Sequence, residues 1–435
     1  MKKTLTVVDA ASLIIGIVIG VGIFKAPSLV ALHTGNAILF FAVWLAGGAI
    51  SLIGALCYAE LATAYPHPGG DYHYLTLAFG KKPAFLFAWA RMTVMQTGSI
   101  AMLAFILGDY LSQVVPLGTY SSSIYAAVSI AVLTAVNAAG IKEGRAAQNL
   151  LTLAIVAGML FIIAGGLFFA SPLPSGAPPS TPFRPLPGLT MVFVLLTYGG
   201  WNEAAYISAE LKDLRKNMVR SLIWSISIIT LLYILINATY WKILGMHNMA
   251  GSNAVAYDVM ARITGSGGAK LVSLFVAVSA LSSMNGVIIT GSRTNYALGK
   301  EFTLFCSLGS WKKDAATPVR ALVVQGVISL LLVLLGTVTM RGFVTMVEFT
   351  APVFWFFFFL TTLSLIVLRS RDPEAARPFR APLYPATPML FCCVCLFMLI
   401  SSIQYTGIGA LAGAALLCAG LPFLMISKYH NAQER

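Results

Sequence analysis

The chain has 435 residues, of which 58% are hydrophobic and only 10% are Asp, Glu, Lys or Arg. Soluble domains carry charge at about a quarter of their positions, so this chain cannot cover soluble domains of the same length. The net charge of +13 does not indicate a nucleic-acid-binding protein, because the basic residues lie in short clusters between apolar runs rather than beside aromatic residues. The composition indicates a polytopic membrane protein, in which about 20 apolar residues cross the bilayer as one helix.

Apolar runs separated by polar, Pro or Gly residues predict twelve transmembrane helices, called spans 1 to 12. They cover residues 7–32, 37–64, 83–110, 122–140, 147–170, 188–210, 219–242, 269–298, 319–338, 343–368, 387–404 and 409–427. With an inside N-terminus, 21 of the 28 Lys and Arg residues fall in inside segments and five in outside segments. The positive-inside rule therefore predicts cytoplasmic N- and C-termini.

Two connecting segments are predicted not to be membrane helices. Residues 171–187 are rich in Pro and Ser, which indicates a strap across the outer face. Residues 369–388 combine charge with Pro, which indicates a cytoplasmic connector between spans 10 and 11.

Glycine clusters interrupt two of the predicted spans. Span 1 contains Gly20-Val21-Gly22-Ile23-Phe24, and span 6 contains Tyr198-Gly199-Gly200-Trp201-Asn202. Each cluster alone would fit close helix packing. However, span 1 is the first of five spans and span 6 is the first of the next five. After five crossings the chain is on the opposite side of the membrane, so the second set has the inverted orientation. Matching interruptions in two inverted halves indicate a binding site near the middle of the bilayer.

These halves define the predicted organisation of the chain. Residues 1–170 form the first inverted repeat, with spans 1 to 5, and residues 171–370 form the second, with spans 6 to 10. Residues 371–435 hold the connector and spans 11 and 12.

The interruptions also predict the kind of ligand. Where a helix unwinds in lipid, its carbonyls and amides lose their intrahelical partners. The freed amides suit a carboxylate and the freed carbonyls suit an ammonium group. Gly20 and Gly22 would let such a ligand approach the backbone closely. An α-amino acid carries both charges at the required short separation.

No motif for catalysis, metal binding or a cofactor is found in the sequence. The five histidines are scattered, without an HExxH pair, and there is neither a GxSxG motif nor a Walker phosphate loop. Cys392, Cys393 and Cys395 lie close together, but no histidine accompanies them, which is typical of small buried apolar residues. We therefore expect neither an enzyme nor a primary pump, and no metal or cofactor.

Six motifs occur in an order that is characteristic of one transporter family. They are Gly20-Val21-Gly22-Ile23-Phe24, Tyr58-Ala59-Glu60-Leu61 with Pro68-Gly69-Gly70-Asp71-Tyr72, Tyr198-Gly199-Gly200-Trp201-Asn202 followed by Glu210, Asn285-Gly286, Gly291-Ser292-Arg293, and Arg377-Pro378-Phe379 with Pro382-Leu383-Tyr384-Pro385. The chain resembles the amino acid–polyamine–organocation transporters, specifically the L-type amino acid transporter branch with its bacterial serine/threonine exchangers.

The resemblance implies an all-α, LeuT-like fold with a five-plus-five inverted repeat, two extra helices and broken helices 1 and 6. It implies transport of α-amino acids, mainly neutral ones, across the plasma membrane (the inner membrane of a bacterium) by alternating access. It places the substrate carboxylate on the amides of Gly20, Val21, Gly22 and Ile23. The ammonium would lie near the carbonyls of Val18, Ile19, Leu196 and Gly199, with Gly200, Asn202 and Asn285 nearby.

Three departures from the family pattern bear on mechanism. Val21 replaces the usual serine, and Leu196 lies where many relatives have an aromatic gate. Ile155 replaces a lysine that stands in for sodium in many relatives, which favours exchange or facilitated transport over proton symport. Sodium coupling through Ser282 or Ser283 stays an alternative, as does an amino acid sensor on the same fold that does not transport.

Several side chains within the spans are candidates for gating or coupling, because charge at membrane depth is often functional. Lys25 could face an outer vestibule and attract carboxylates, or reach outward to water. Glu203 could stabilise a helix start, carry a coupled proton or contact a substrate amine. Arg91 could pair near the inner vestibule or have a structural role. Tyr198 and Trp201 flank the glycines of span 6 and are candidate gates.

No disulfide-linked heavy chain is expected as a partner. Relatives that have one are joined through a cysteine between helices 3 and 4, and residues 109–125 contain none. The resemblance therefore favours a stand-alone subunit whose partners are the amino acid and the lipid bilayer.

Overall fold

A computed structural model describes residues 11, 14–16, 18–67, 69–140, 145–168, 186–203, 214–311, 317–405 and 408–425. All of the regular elements within these ranges are helices, as predicted. Most of the predicted strap at 171–187 lies outside the described residues, as do residues 204–213 after the span 6 interruption, including Glu210.

Within the described ranges, eight helices are long and apolar enough to cross a membrane. They are Ala37–Ala64, Lys81–Val114, Ser121–Ala138, Asn217–Ala250, Val255–Glu301, Val319–Val338, Gly342–Arg371 and Ala386–Gln404. They correspond to predicted spans 2, 3, 4, 7, 8, 9, 10 and 11. Span 1 is a bent pair, Ile14–Phe24 and Ala26–Thr34, with an angle of 59° between its parts. Spans 5, 6 and 12 correspond to the shorter apolar helices Leu153–Phe168, Pro187–Thr197 and Gly409–Met425.

The helices group into two compact units that are not continuous in sequence. Unit 1 contains residues 1–84, 156–269 and 355–405, and unit 2 contains residues 85–155, 270–354 and 406–435. Each unit therefore takes helices from both predicted repeats. These units divide the chain by how its helices pack, whereas the predicted repeats divide it by sequence order. The units therefore do not test the repeats, which stay a prediction.

Unit 1 is packed closely around the helix Ala37–Ala64. A Cβ atom on Gly47 would overlap Val194, and one on Gly54 would overlap the rings of Phe391 and Trp201. The absence of side chains at these two positions lets the interrupted span 6 approach the helix directly. Small residues serve this purpose in membrane helices, where close van der Waals packing drives association.

Unit 2 contains buried polar pairs between its helices. The Asn137 side chain donates to Oδ1 of Asn285 at 2.6 Å, and the Gln325 amide donates to the Ile288 carbonyl at 3.2 Å. A π-helical turn, Arg91–Met95, interrupts the helix that begins at Lys81. Such bulges rearrange the backbone hydrogen bonds locally and often occur at functional positions.

The connector after span 10 is folded onto unit 1 by a buried ion-pair network. The Glu60 side chain is fully buried and accepts two 2.6 Å hydrogen bonds from Nε and Nη2 of Arg369. Glu60 Oε2 also accepts a 2.6 Å hydrogen bond from the backbone N–H of Ala381, and Arg377 Nε lies 3.7 Å from Oε1. The guanidinium of Arg369 stacks on the Tyr384 ring at 3.8 Å. One carboxylate thus joins the end of span 2 to the end of span 10 and to the connector.

Candidate functional site

The interruption of span 1 begins at Ile19 and ends at Lys25. Gly20 is extended, with φ −87° and ψ −177°, and its N–H donates to the Val18 carbonyl at 2.7 Å. Residues Val21–Phe24 then form one 3₁₀ turn, and Lys25 is again non-helical before the helix Ala26–Thr34. The first amides of a helical turn have no intrahelical acceptor, so this turn presents backbone N–H groups that a ligand could use.

Span 6 is interrupted at the predicted glycines. Its helix, Pro187–Thr197, ends where the Gly199 N–H donates to the Leu196 carbonyl at 3.0 Å. Gly200 has φ +107°, a left-handed conformation that glycine adopts without strain. A short 3₁₀ turn at residues 201–203 follows, with the Glu203 N–H donating to the Gly200 carbonyl at 3.1 Å.

The two interruptions lie side by side within unit 1. A Cβ atom built on Gly22 would lie 3.6 Å from Cγ2 of Thr197, the last helical residue of span 6. The rings of His33 and Phe193 stack at 6.5 Å and also hold the two spans together. The structure therefore brings together the site residues that were predicted in spans 1 and 6.

Tyr233 joins the two interruptions, and the sequence analysis did not identify it. Its hydroxyl lies 2.9 Å from the Val18 carbonyl oxygen and 3.1 Å from that of Thr197. A hydroxyl has a single proton, so it can donate to only one of these carbonyls at a time. The ring is fully buried between Trp44, at 5.8 Å, and Tyr198, at 5.0 Å. The only signal in the sequence is a tyrosine in the middle of an apolar span.

This bridge changes the predicted ammonium site. The Val18 carbonyl oxygen is approached by the Gly20 N–H and by the Tyr233 hydroxyl, which occupy the two lone pairs that a carbonyl offers. A substrate ammonium at Val18 would therefore have to displace or share one of these groups. Tyr233 could turn its hydroxyl proton toward Thr197 while it does so.

Aromatic side chains enclose the other end of the span 6 interruption. The ring of Trp201 stacks on Phe358 at 5.7 Å and meets the edge of Tyr58 at 5.2 Å. The Tyr58 hydroxyl donates to Oδ1 of Asp71 at 2.6 Å, which fixes its ring. Asn202, the next residue after Trp201, is also buried. Both predicted gate residues of span 6, Tyr198 and Trp201, thus lie in ordered aromatic surroundings.

The turn that carries Asp71 contains a histidine pair. His67 and His73 stack at 4.1 Å, and Nδ1 of His67 accepts a hydrogen bond from the Gly69 N–H at 2.9 Å. Burial lowers the pKa of His73, and the neighbouring His67 lowers it further. We expect His73 to be neutral at pH 7, because a charged imidazole at this position would be poorly solvated and close to a second one.

The remaining predicted site residues have other surroundings. Asn285, Ser282, Ser283 and Arg91 belong to unit 2, where Asn285 is paired with Asn137. With its amide oxygen facing Arg91, Gln96 would accept hydrogen bonds of 3.0 and 3.3 Å from that guanidinium. Ile155, which replaces the family lysine, is buried, and the side chain of Thr152 lies outside the described residues.

Lys25 is buried and does not extend into water. Only 8% of the residue is exposed, and its Nζ donates to the Asn253 carbonyl at 2.9 Å. The alternative of a lysine that reaches outward to solvent is therefore not what the structure shows. Glu203 is half-buried at the end of the described part of span 6.

Comparison with known proteins supports the same assignment along nearly the whole chain. The family model described as amino acid permease matches residues 5–416. The human b(0,+)-type amino acid transporter 1 (Homo sapiens) is 30% identical over 423 residues, which cover 93% of this chain and 83% of the relative.

Two further relatives come from Mus musculus. Its Asc-type amino acid transporter 1 is 29% identical over 456 residues, covering 100% of this chain and 83% of the relative. Its large neutral amino acids transporter small subunit 2 is 29% identical over 442 residues, covering 99% and 82%. With the apolar helices described above, these matches show that the chain is a multi-pass membrane protein belonging to the amino acid permease family, in the amino acid–polyamine–organocation superfamily.

Proposed function

We propose that this protein is a secondary transporter that moves α-amino acids, mainly neutral ones, across the plasma membrane by alternating access. The observation that carries the proposal is the close approach of two interrupted spans, at Gly22 and Thr197, within a chain of the amino acid permease family. Backbone groups released at adjacent interruptions can replace water around a small zwitterion in the bilayer. The protein is not an enzyme, because its family and relatives are permeases and transporters.

The proposed architecture has twelve crossings and an inverted repeat of five spans. The division into compact units supports it. Spans 1 and 2 and their proposed counterparts, spans 6 and 7, fall in unit 1, whereas spans 3 and 4 fall in unit 2 with spans 8 and 9. Equivalent members of two repeats would be expected to occupy equivalent packing positions. The distribution of basic residues supports cytoplasmic termini and, by resemblance, a bacterial inner membrane.

The proposed substrate site uses the backbone more than side chains. The carboxylate would be received at the amides of the turn that begins at Val21, because the Gly20 N–H, predicted as part of this site, already donates to the Val18 carbonyl. Carbonyls at Ile19 and Leu196 would share the ammonium with Val18. Asn202 is a candidate polar contact from span 6 within the same unit. A site of this kind recognises the part common to all α-amino acids, so the side chain would be selected elsewhere.

Exchange is the transport mode that we favour. Ile155 is buried and apolar where many relatives carry a lysine, and no ionisable residue occurs between Ala146 and Ala170. This segment therefore offers no group to carry a coupled proton. Symport of sodium through Ser282 or Ser283, and amino acid sensing without transport, are the alternatives that the test below distinguishes.

We also propose that the protein works without a disulfide-linked heavy chain. One relative is named a small subunit, which implies an assembly for that protein. Here the segment 109–125, where the family cysteine would lie, contains no cysteine. Non-reducing electrophoresis of the protein from its native membrane would show a thiol-sensitive larger species if this proposal were wrong.

The transport proposal is tested in two steps. In a thermal-shift screen of the purified protein against the twenty amino acids, we expect stabilisation by a subset of neutral ones, because a ligand that binds the folded state raises its stability. In proteoliposomes, we expect uptake of that amino acid only when an amino acid is present inside. Uptake driven by a pH or sodium gradient would indicate symport, and binding without flux would indicate a sensor.

Replacing Tyr233 by phenylalanine should weaken amino acid binding while leaving the protein folded. The variant keeps the buried ring but removes the hydroxyl that bridges the Val18 and Thr197 carbonyls. Once its proton turns to Thr197, the Tyr233 hydroxyl oxygen can accept a hydrogen bond from a substrate ammonium at Val18, which phenylalanine cannot do. Loss of one hydrogen bond costs about 1 kcal/mol, so we expect roughly a fivefold rise in the dissociation constant. The matched control is Tyr125→Phe, whose hydroxyl donates to the Val115 carbonyl in unit 2. Equal affinities of wild type and Tyr233→Phe would place Tyr233 outside the site.

A further inference from the structure

A helical hairpin follows span 7, and its two ends are glycine hinges. Gly245 has φ +69° and Gly265 has φ +73°, and they bound residues 246–264, called the hairpin from here on. A Cβ atom at either glycine would meet no atom within 4 Å. Packing therefore does not require glycine at these positions, whereas the left-handed backbone does. Such single-residue breaks allow an element to change its angle without disturbing the helices that it connects.

Lys25 connects this hairpin to the interruption of span 1. Its ammonium donates to the carbonyl of Asn253, in the loop at the tip of the hairpin, at 2.9 Å. Its backbone N–H donates to the Gly22 carbonyl at 3.0 Å, and its own carbonyl accepts a hydrogen bond from Ser28 at 2.9 Å. One residue is thus bonded to the 3₁₀ turn of the candidate site, to the helix that follows it and to the hairpin.

Hydrogen bonds within the tip of the hairpin hold its residues together. A displacement of Asn253 would therefore move the tip as one rigid unit. The Ser252 hydroxyl donates to Oδ2 of Asp258 at 2.5 Å and accepts from the Ala254 N–H at 3.2 Å. At the base, Arg262 donates to the Ile243 carbonyl at 3.1 Å. Ala254 and Val255 beside Asn253 are buried.

The bond at Lys25 is expected to persist during small movements. An ammonium that is removed from water must keep its hydrogen bonds, because leaving a buried charge unsatisfied is costly. Lys25 has φ −122° and ψ −47°, outside helical geometry, so the turn before it can tighten without unwinding the helix after it. Movement of the Gly22 peptide group would therefore reach the hairpin through the lysine side chain.

We propose that Lys25 is a positioning residue that couples occupation of the span 1 turn by an amino acid to closure of the hairpin. The inference rests on the proposed function. Binding at the amides of the 3₁₀ turn that begins at Val21 orders that turn. The backbone of Lys25 moves with the Gly22 carbonyl to which it is bonded, and the Lys25 ammonium moves the Asn253 carbonyl inward. Thermodynamic coupling between two sites is reciprocal. If amino acid binding favours closure of the hairpin, closure of the hairpin therefore strengthens amino acid binding.

Hydrogen–deuterium exchange of the full-length protein tests this coupling. The probe is the neutral amino acid that stabilises the wild type most in the thermal-shift screen. With it, we expect the backbone amides of the hairpin to exchange at least about fivefold more slowly in the wild type, within the range typical of coupling between sites. In Lys25→Met, amino acid should still bind, but this protection should disappear. Lys25→Arg should restore it, because arginine also donates to a carbonyl.

Asn253→Ala is the matched control, since the bond uses the backbone carbonyl of residue 253 and not its side chain. It should keep the protection. Equal protection in Lys25→Met and wild type would overturn the proposal, as would complete loss of binding in folded Lys25→Met, which would make Lys25 a substrate contact. If Lys25→Met does not fold, Ser252→Ala loosens the tip instead, and full protection in that variant overturns the proposal. Absence of any amino acid effect on the wild type would refute the transport function, not the tether.

Discussion

Valine in place of Gly22 should abolish amino acid uptake while leaving the protein folded. In the structure, a Cβ atom at this position would lie 3.6 to 3.8 Å from Thr197, which is ordinary van der Waals contact. The first carbon is therefore tolerated, and the backbone is not in the left-handed region. The two γ-methyl groups of valine, however, would occupy the space between the two interruptions, where the substrate carboxylate has to approach the amides.

The expected effects form a graded series. Gly22→Ala should retain measurable uptake, because its single methyl group fits beside Thr197. Gly22→Val should reduce uptake at least about 100-fold, equivalent to about 2.7 kcal/mol. The measurement is uptake into proteoliposomes, normalised to folded protein by size-exclusion chromatography.

The matched control is Gly267→Val, since a Cβ atom at Gly267 has no neighbour within 4 Å. That variant should transport normally. Undiminished uptake by Gly22→Val would mean that the span 1 interruption is not the substrate site, and the proposed function would lose its main structural support.

The largest loss of stability is expected from substitution of Glu60. Its carboxylate is fully buried and holds Arg369, the Ala381 N–H and Arg377 within one network. Removing one partner of a buried ion pair leaves the other charge uncompensated, which typically costs about 3–5 kcal/mol. We therefore expect Glu60→Gln to lower the free energy of unfolding by about this amount and, for a chain of 435 residues, the melting temperature by roughly 3–5 °C.

A double substitution separates the ion pair from the rest of the network. Arg377 also donates to the carbonyls of Leu368 and Asp372, so it remains satisfied without Glu60. Arg369 depends on Glu60 for its two shortest bonds. Glu60→Gln combined with Arg369→Gln should therefore be more stable than Glu60→Gln alone, because no unpaired charge is left. Glu374→Gln, an exposed change in the same connector, is the control and should melt like the wild type.

A melting temperature of Glu60→Gln within a degree or two of the wild type would contradict this account. It would mean that the connector is held mainly by its apolar contacts and by Arg377. The attraction within the buried network would then do little more than offset the cost of removing its charges from water.

Local properties of the chain were enough to predict the helices and the position of the interruptions. The length of an apolar run decides whether it can cross a bilayer, and this length is read directly from the sequence. Predicted span 9, for example, agrees with the helix Val319–Val338 at both ends. The clusters at Gly20 and Gly199 lack the side chains that favour a continuous helix, and the structure shows interruptions at both. The family, too, could be recognised from short motifs, two of which lie at these backbone breaks.

Only the tertiary structure decided how the helices face one another. Most spans are apolar on all sides, so no period in the sequence marks the face that meets a neighbour. The bridge from Tyr233 to Val18 joins residues 215 positions apart, the Lys25 bond to Asn253 joins residues 228 apart, and the Glu60 bond to Arg369 joins residues 309 apart. Sequence reasoning noted the charge of Lys25 and placed Glu60 in a family motif, but it could not name their partners. Each partner is set by the packing of whole helices, and two of these three bonds end on a backbone carbonyl, which every residue carries and no sequence pattern reveals.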